Sequence, residues 1–427
     1  MLKICLRLAL ISCAWGALLA PEGGKPVKHK PYKRQPGDPK RASNPIILIP
    51  GDGGSQLEAN LTGKPSVVHY LCDSKTADYF DLWLDLSSFA PIKVDCWADN
   101  MKMVFNETTL TSEDAPGVTV RVPNFGGTDT VEWLDPGQHT YFPGRYFNYI
   151  VDALVSWGYT RSKNVIGAPY DWRKSPPELT DYYISLKTLI ETTYLYNDKR
   201  RIIILAHSMG NPVMNFFYHN FVNQAWKDKY IHSHISLAGA WGGAMQIVKL
   251  YASGYNMDFY RILLPPSELR AMQRSWTSSG LLFPSNVLWP ANETFAQTDA
   301  KNYTTGNVEE FFNDIGYPMG YKQYLQANVA QTLEAPGVTV HCMYGHQVQT
   351  SEYLSWAKGY FPDYQPTIVY GDGDGTVNIR SLKTCDGWKG KNQGKLVTVH
   401  EIEKADHMSI LSDLRTIQLI KDVLYNG

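Results

Sequence analysis

The sequence predicts an α/β fold, and two features of the chain support that prediction. Short apolar runs typical of buried parallel strands alternate with longer amphipathic segments from about residue 45 to the end of the 427-residue chain. Near the middle, residues 202–205 predict a buried strand, residues 206–210 a sharp turn and residues 212–217 the start of a helix. A strand, a turn that contains a serine, and a helix in direct succession are typical of the α/β-hydrolase fold, which we therefore expect.

Ser208 is the candidate nucleophile of that turn. Ala206 and Gly210 lie two positions before and after it, where small residues are needed because the strand and helix backbones nearly touch. Ala206 replaces the first glycine of the usual G-x-S-x-G pattern and is still small. The turn would direct the amide of Met209 at a developing oxyanion. The alternative interpretation is an ordinary serine that caps a helix.

The composition limits the class of protein. Apolar residues make up 44% of the chain and aromatic residues 13%, which is enough to fill a large core. The formal net charge of -1 gives no electrostatic support for binding to nucleic acid. No metal ion or organic cofactor is predicted.

The amino terminus predicts a secretory protein. Residues 1–20 predict a signal peptide, because Lys3 and Arg7 come first and the apolar stretch at residues 8–20 is too short to span a membrane. An uncleaved anchor is the alternative. Residues 21–44 are rich in proline and basic side chains and poor in apolar ones, so we predict a basic, disordered leader.

Cysteines and glycosylation sequons agree with secretion. Four cysteines remain after the signal peptide, and their proximity in sequence favours the disulfides Cys72–Cys96 and Cys342–Cys385. Four N-x-T sequons predict surface glycosylation at Asn60, Asn106, Asn292 and Asn302.

The pattern of strands and helices divides the rest of the chain into a core with two insertions. The predicted core begins at residues 45–62, continues at residues 111–240 and ends at residues 336–427. Residues 63–110 interrupt it as a lid, and residues 241–335 interrupt it as a cap. About eight core strands are expected, and they include residues 118–122, 231–237, 338–343, 367–370 and 396–402.

The lid carries more aromatic and aliphatic residues than a short solvated loop should expose. Tyr79, Phe80, Trp83 and Leu84 lie inside the loop that the first disulfide would close. One interpretation is an interfacial element whose aromatic side chains enter a lipid surface. The other is a small core packed under the loop, and the stretch by itself does not separate them.

A serine nucleophile needs a histidine base and a carboxylate that orients it. In α/β-hydrolases the acid and then the histidine follow the serine, each on a loop after a strand. His407 lies between the last strand and the last helix, whereas His400 lies within a strand and His207 faces away from the serine hydroxyl. Asp372 and Asp374 both follow a strand, and position alone does not separate them.

A glycine-rich turn follows the first strand at residues 51–55. In α/β-hydrolases a loop after an early strand supplies the second amide of the oxyanion hole, and we assign that amide to Asp52. A phosphate-binding loop is the alternative, but the turn lacks the Lys-Ser/Thr ending of that motif.

Several long motifs carry a family resemblance. They are HYLCDSKTADYFDLWLDL, GAPYDWR, AHSMGN, QAWKDKYI, GDGDGTVN and the late ADH. Together they resemble the lecithin:cholesterol acyltransferase family, and its lysosomal phospholipase A2 branch in particular, from about residue 45 to the end. The resemblance implies the triad Ser208, Asp374 and His407, an oxyanion hole formed by the amides of Asp52 and Met209, and a lid that binds membranes.

The same resemblance implies a function. It predicts a luminal serine phospholipase A that passes a fatty acyl chain from a glycerophospholipid to water or to a lipid alcohol such as ceramide. It places the protein in the lysosome lumen, outside the cell, or both. The alternatives are a sterol O-acyltransferase and an inactive lipid-binding protein with the same fold. Head-group preference, acyl position and oligomeric state are not predicted.

Two positions depart from the family pattern. Ala240 stands where the family usually carries proline. Asn211 follows Gly210, at a position where the plasma acyltransferase has cysteine, and this favours the lysosomal branch.

An acid optimum, as in lysosomal relatives, needs an explanation, because a histidine that acts as a base must be neutral. We hypothesise that acid charges other histidines and so promotes adsorption of the protein to anionic lipid.

Overall fold

Parallel and antiparallel strands both contribute to the fold. The structure is a computed structural model that describes residues 32–89, 93–136, 144–256 and 266–425. The strands of this region, numbered in chain order, are β1 (Ile46–Ile49), β2 (Leu57–Leu61), β3 (Phe80–Trp83), β4 (Met103–Asn106), β5 (Thr111–Asp114), β6 (Val118–Arg121), β7 (Val165–Gly167), β8 (Ile202–His207), β9 (Ile231–Leu237), β10 (Ala296–Gln297), β11 (Asn302–Tyr303), β12 (Val340–His346), β13 (Thr350–Ser355), β14 (Thr367–Gly371) and β15 (Val397–Glu403).

α-Helices lie between many of these strands and after the last one. The α-helices are α1 (Lys93–Met101), α2 (Asp129–Glu132), α3 (Asn148–Ser156), α4 (Thr180–Tyr196), α5 (Gly210–Asn220), α6 (Gln224–Tyr230), α7 (Gln246–Ser253), α8 (Pro266–Gln273), α9 (Thr277–Leu281), α10 (Val308–Asp314), α11 (Met319–Asn328), α12 (Ile379–Leu382) and α13 (Leu414–Tyr425). Short 3-10 helices lie at Leu86–Phe89, Pro176–Glu178, Lys383–Trp388 and Ser409–Leu411.

A parallel sheet of six strands forms the centre of the molecule. Its order is β15-β12-β9-β8-β1-β7, and every neighbouring pair is parallel. All residues of β1 and β8 are buried, and α4 and α5 pack against β8. A strand buried on both faces is a continuous apolar run, which explains why these strands could be predicted from the sequence. The predicted α/β-hydrolase fold is confirmed.

Two of the predicted core strands lie in other sheets. β6, predicted at residues 118–122, pairs antiparallel with β2 in a three-stranded sheet of order β3-β2-β6. β14, predicted at residues 367–370, pairs antiparallel with β13 at the edge of a four-stranded sheet of order β11-β10-β13-β14. The prediction of about eight core strands was therefore wrong, because an apolar pattern specifies a strand but does not specify its pairing partner.

The sheets do not follow the predicted boundaries between the core and the two insertions. β2, predicted with the core at residues 45–62, pairs with β3 and β6, so the lid insertion in the structure spans residues 57–121. Within it, β4 and β5 form a separate antiparallel pair. β10 of the cap pairs in parallel with β13, so residues 350–371, predicted as core, belong to the cap sheet.

Residues 32–44, predicted as part of a disordered leader, pack against the fold. The ring of Tyr32 meets that of Trp157 edge-on at 6.1 Å, and its hydroxyl donates to Asp38 over 3.0 Å. Lys421 of α13 donates to the buried carboxylate of Asp38 over 3.2 Å. The basic composition of the segment did not indicate these contacts, because they are made by only one aromatic ring and one buried ion pair. The predicted signal peptide and residues 21–31 lie outside the described residues.

Both predicted disulfides are confirmed. Cys72 and Cys96 are joined across the lid insertion with a Cα–Cα distance of 5.3 Å. Cys342 of β12 is joined to Cys385 with a Cα–Cα distance of 6.6 Å. Both distances lie in the usual range for disulfides.

The predicted glycosylation sites differ in their exposure. Asn106, Asn292 and Asn302 are exposed. Asn60 is half-buried in the middle strand of the lid sheet, and its side-chain oxygen accepts a hydrogen bond of 3.1 Å from Thr76. Within the described ranges of the chain, no helix is long and apolar enough to cross a membrane.

Candidate active site

Ser208 lies in the turn between β8 and α5. Its φ of 53° is in the left-handed region, which a non-glycine residue occupies only under constraint. The helix side of the turn requires Gly210, because a Cβ there would come within 2.5 Å of the carbonyl oxygen of Pro50. The Ser208 amide donates to the carbonyl of Leu237 over 2.9 Å and ties the turn to β9. The serine hydroxyl is thus held at the carboxyl edge of the sheet.

His407 and Asp374 lie beside this serine. His407 Nε2 is 3.0 Å from Ser208 Oγ, and His407 Nδ1 is 2.7 Å from Asp374 Oδ2. All three side chains are buried. Burial by itself would lower the pKa of His407, but the charge and hydrogen bond of Asp374 outweigh burial, and the pKa is raised above 6.5.

The structure separates the two candidate acids. Asp372 is exposed, and its Oδ1 accepts the amides of Gln347 and Gly373 over 2.6 and 2.8 Å. It therefore caps a turn. Asp374 accepts the amides of Thr376 and Val377 through Oδ1, over 3.1 and 2.7 Å, which leaves Oδ2 for His407.

The cap brings Asp374 to the end of β12. After β12 the chain leaves the central sheet, forms the antiparallel pair β13–β14 and returns with Asp374 in a parallel bridge to Val348. The amide of His407 then donates to the Asp374 carbonyl over 2.8 Å. The acid therefore lies at the carboxyl edge of the sheet, although the strand directly before it belongs to the cap.

The glycine-rich turn after β1 passes over the nucleophile. A Cβ on Gly51 would lie 2.8 Å from Ser208 Cβ, so only glycine allows this approach. The amide of Gly54 donates to the Gly51 carbonyl over 3.0 Å and closes the turn. In the described chain, the amides of Asp52 and Met209 have no protein acceptor, which leaves both free to donate to an oxyanion.

Asp52 lies in this turn and is exposed. Protein atoms around the turn nevertheless reduce the hydration of its carboxylate, which raises the pKa of Asp52 from 3.8 to about 7, against a smaller opposing effect of the Gly53 amide. A carboxyl group beside the serine is therefore neutral in acid and charged in alkali. No pattern in the sequence indicates this shift, since it depends on the protein around the loop.

Comparisons with known proteins agree with this geometry. A family model described as lecithin:cholesterol acyltransferase matches residues 79–333 and 316–414. The lysosomal phospholipase A and acyltransferase of Homo sapiens is 41% identical over 393 residues, which cover 91% of this chain and 92% of that protein. The phosphatidylcholine-sterol acyltransferase of Gallus gallus is 38% identical over 383 residues, which cover 89% of this chain and 90% of that protein.

The chain belongs to the lecithin:cholesterol acyltransferase family.

The GAPYDWR motif of this family forms hydrogen bonds to the glycine-rich turn that passes over Ser208. Tyr170 donates its hydroxyl to the Pro50 carbonyl over 3.0 Å, and the indole of Trp172 donates to the Ser55 carbonyl over 3.0 Å. Arg173 is fully buried and pairs with Asp171 at 2.8 Å. The motif therefore fixes both ends of the turn at residues 50–55.

The two residues that depart from the family pattern, Asn211 and Ala240, both contact the turn that carries Ser208. The side-chain amide of Asn211 donates to the carbonyls of Ser208 and Leu237 over 3.0 and 3.3 Å, and its oxygen is 2.9 Å from His234 Nε2. The backbone amide of Ala240 donates to the Ser208 carbonyl over 3.3 Å. Proline has no such amide and cannot make this bond. In this chain the turn at Ser208 is therefore held by one backbone hydrogen bond that a proline at position 240 would remove.

Of the four lid residues predicted to enter a membrane, one is buried and the other three, Tyr79, Phe80 and Trp83, are half-buried. Leu84 is 5% exposed, so its prediction as a membrane contact was wrong. Trp83 donates from its indole to the Gly53 carbonyl over 2.7 Å and stacks on Trp97. Phe80 packs against the core, and Tyr79 lies 3.8 Å beneath the guanidinium of Arg121. The alternative interpretation, a small core under the loop, describes these side chains.

Two features of the site were missed in the sequence. Tyr146, which belongs to no recognisable motif, has its hydroxyl oxygen 2.6 Å from Nδ1 of His207, the residue before Ser208. Tyr70 and Leu71 of the lid insertion are 84% and 59% exposed, although they stand in the motif that carries the family resemblance. Their position just before Cys72 was the available signal.

Proposed function

We propose that the chain is a serine phospholipase A that also transfers the acyl group to a lipid alcohol. The observation that carries the proposal is the buried, hydrogen-bonded series Ser208–His407–Asp374 at the carboxyl edge of the sheet. It is supported by the names of the relatives, which include a lysosomal phospholipase A and acyltransferase and a phosphatidylcholine-sterol acyltransferase.

The proposed reaction has two steps. Ser208 Oγ attacks the ester carbonyl carbon while His407 Nε2 accepts its proton, and Asp374 holds the other ring nitrogen as N–H. The amides of Asp52 and Met209 stabilise the oxyanion. Collapse of the tetrahedral intermediate releases the lysophospholipid, to which His407 returns the proton. In the second step water or a lipid hydroxyl, deprotonated by His407, attacks the acyl-enzyme and takes the acyl group, and His407 returns the proton to Ser208 Oγ as the bond to the serine breaks.

The products distinguish the candidate acceptors. Phosphatidylcholine vesicles that contain equal amounts of ceramide and cholesterol are incubated with the protein, and the lipids are identified. We expect free fatty acid, lysophosphatidylcholine and acylated ceramide. Cholesteryl ester in place of acylated ceramide would identify a sterol acyltransferase, and the absence of all four products would contradict the proposal.

The exposed part of the lid insertion is the proposed membrane contact. Tyr70 and Leu71 are exposed apolar residues, and the insertion that carries them rests on the active-site turn through Trp83 and Gly53. An exposed apolar pair on an insertion that contacts the active-site turn would orient the site towards a lipid surface.

Replacing Tyr70 and Leu71 by serine should weaken hydrolysis of phosphatidylcholine vesicles about 10-fold or more, because two apolar anchors are lost. Hydrolysis of a soluble short-chain ester should be unchanged. The matched control replaces Leu195 and Tyr196, an adjacent pair that is 63% and 82% exposed at the end of α4. That pair precedes β8 and so lies at the opposite edge of the sheet. Equal loss of vesicle activity in both double variants would contradict the proposed contact.

The histidines provide little charge for adsorption in acid. Burial lowers the pKa of six of the 11 histidines, namely His207, His219, His232, His234, His341 and His400. These side chains stay neutral in conditions that charge an exposed histidine. The predicted adsorption effect is therefore smaller than the histidine count suggests, and Asp52 is a better candidate for an acid preference.

Activity on a soluble ester should rise on the acid side as His407 loses its proton and should decline on the alkaline side as Asp52 ionises, at about pH 7. The sign follows from the pKa: below it the carboxyl group is neutral and able to donate, whereas above it a negative charge faces the developing oxyanion. Asp52→Asn keeps a neutral side chain at every pH and should abolish this decline. The pH profile of kcat/KM for both proteins checks the prediction, and an unchanged alkaline limb in the variant would contradict it.

The proposed location is the lysosome lumen or the exterior of the cell, with glycans on the exposed sequons at Asn106, Asn292 and Asn302.

A further inference from the structure

Beneath the nucleophile, a chain of hydrogen bonds connects the turn over Ser208 to the histidine that faces it. The amide of Gly51 donates to Tyr146 Oη over 2.9 Å, and Tyr146 Oη lies 2.6 Å from His207 Nδ1. His207 Nε2 lies 3.0 Å from the carbonyl oxygen of His407. Tyr146 and His207 are both buried.

One arrangement of protons satisfies the whole chain. The carbonyl of His407 can only accept, so His207 carries its proton on Nε2 and accepts at Nδ1. Tyr146 must then donate its hydroxyl proton to Nδ1, and its oxygen accepts from the Gly51 amide. Burial favours the neutral forms that this arrangement needs, because it raises the pKa of Tyr146 and lowers that of His207 well below 6.5.

The tyrosine also limits the height of the turn. A Cβ on Gly54 would lie 2.8 Å from Tyr146 Oη, and one on Gly51 would lie 3.2 Å from it and 2.8 Å from Ser208 Cβ. The turn therefore passes between the tyrosine and the nucleophile, with no space for a side chain on either glycine.

We infer that Tyr146 and His207 are positioning residues that fix the distance between the oxyanion amide of Asp52 and the base His407. The inference rests on the proposed function. Neither residue reaches a substrate, since both lie below Ser208. They act because one end of their hydrogen-bond chain is the residue next to Asp52 and the other end is the backbone of His407.

Tyr146→Phe tests the first link, with Tyr159→Phe as the matched control. Tyr159 is also buried, and its hydroxyl donates to the Asn44 carbonyl over 3.0 Å, at the other end of β1. Each variant removes one hydroxyl that is bonded to the backbone beside the same strand. Melting temperature, kcat and KM for a soluble short-chain ester, and the rate of labelling by a fluorophosphonate are measured for both.

Tyr146→Phe should lower kcat and the labelling rate roughly 10²-fold, as a misplacement of about 1 Å does, and leave KM nearly unchanged. Tyr159→Phe should lower the melting temperature to a similar extent with kcat intact. Equal kcat in the two variants would overturn the inference. Inactivity of the unmodified protein on all esters would instead refute the proposed function.

The second link has its own pair of variants, which also serves if Tyr146→Phe does not fold. His207→Gln retains one donor and one acceptor, whereas His207→Leu retains neither. Higher kcat and labelling rate in the glutamine variant, at equal melting temperature, is the expected result. Equal rates in the two variants would show that the hydrogen bonds of His207 do not position the site.

Discussion

Ser208→Ala should reduce turnover of phosphatidylcholine and of a soluble ester roughly 10⁶-fold, the loss that follows removal of a serine nucleophile. The hydroxyl contributes little to the fold: its hydrogen bond in the described structure goes to His407 Nε2. The Cβ that lies against Gly51 is kept. Melting temperature and vesicle binding should therefore stay as they are in the unmodified protein.

Labelling by a fluorophosphonate provides an independent measurement. The unmodified protein should be labelled at Ser208, and the alanine variant should not be labelled at all. Retained hydrolysis by a folded, unlabelled variant would show that another residue is the nucleophile. Absence of labelling in the unmodified protein would instead favour an inactive lipid-binding protein.

Asp374→Asn should lower kcat about 10⁴-fold, as in other triads, and the structure gives the reason. Asp374 Oδ1 accepts the amides of Thr376 and Val377, so the carbonyl oxygen of the new side chain must occupy that position. Its NH₂ group then faces His407 Nδ1 and forces that nitrogen to accept. The ring proton moves to Nε2, where it prevents His407 from taking the proton of Ser208.

Asp372→Asn is the matched control for this prediction. The carboxylate of Asp372 is exposed, and asparagine preserves an oxygen that accepts the amides of Gln347 and Gly373. Its kcat should stay close to that of the unmodified protein. Measurement of kcat for both variants on one soluble ester separates the two acids, and a larger loss in Asp372→Asn would reverse their proposed roles.

Local sequence was enough to predict the candidate nucleophile and the candidate base. The apolar run of β8, the small residues around Ser208 and the position of His407 between the last strand and the last helix are each encoded within a few neighbouring residues. The two disulfides were also predicted correctly, since each joins cysteines that are close in sequence. The choice of Asp374 over Asp372 needed the family resemblance, because both follow the same strand.

Only the tertiary structure decided burial, pairing and electrostatics. Whether Trp83 and Leu84 face lipid or protein depends on the core beneath them, and the partner of β6 or β14 depends on strands elsewhere in the chain. The pKa of Asp52 depends on the protein around the turn. The chain from Gly51 through Tyr146 and His207 to His407 joins four separate segments. Such properties arise from contacts between residues far apart in sequence, and no local pattern of side chains encodes them.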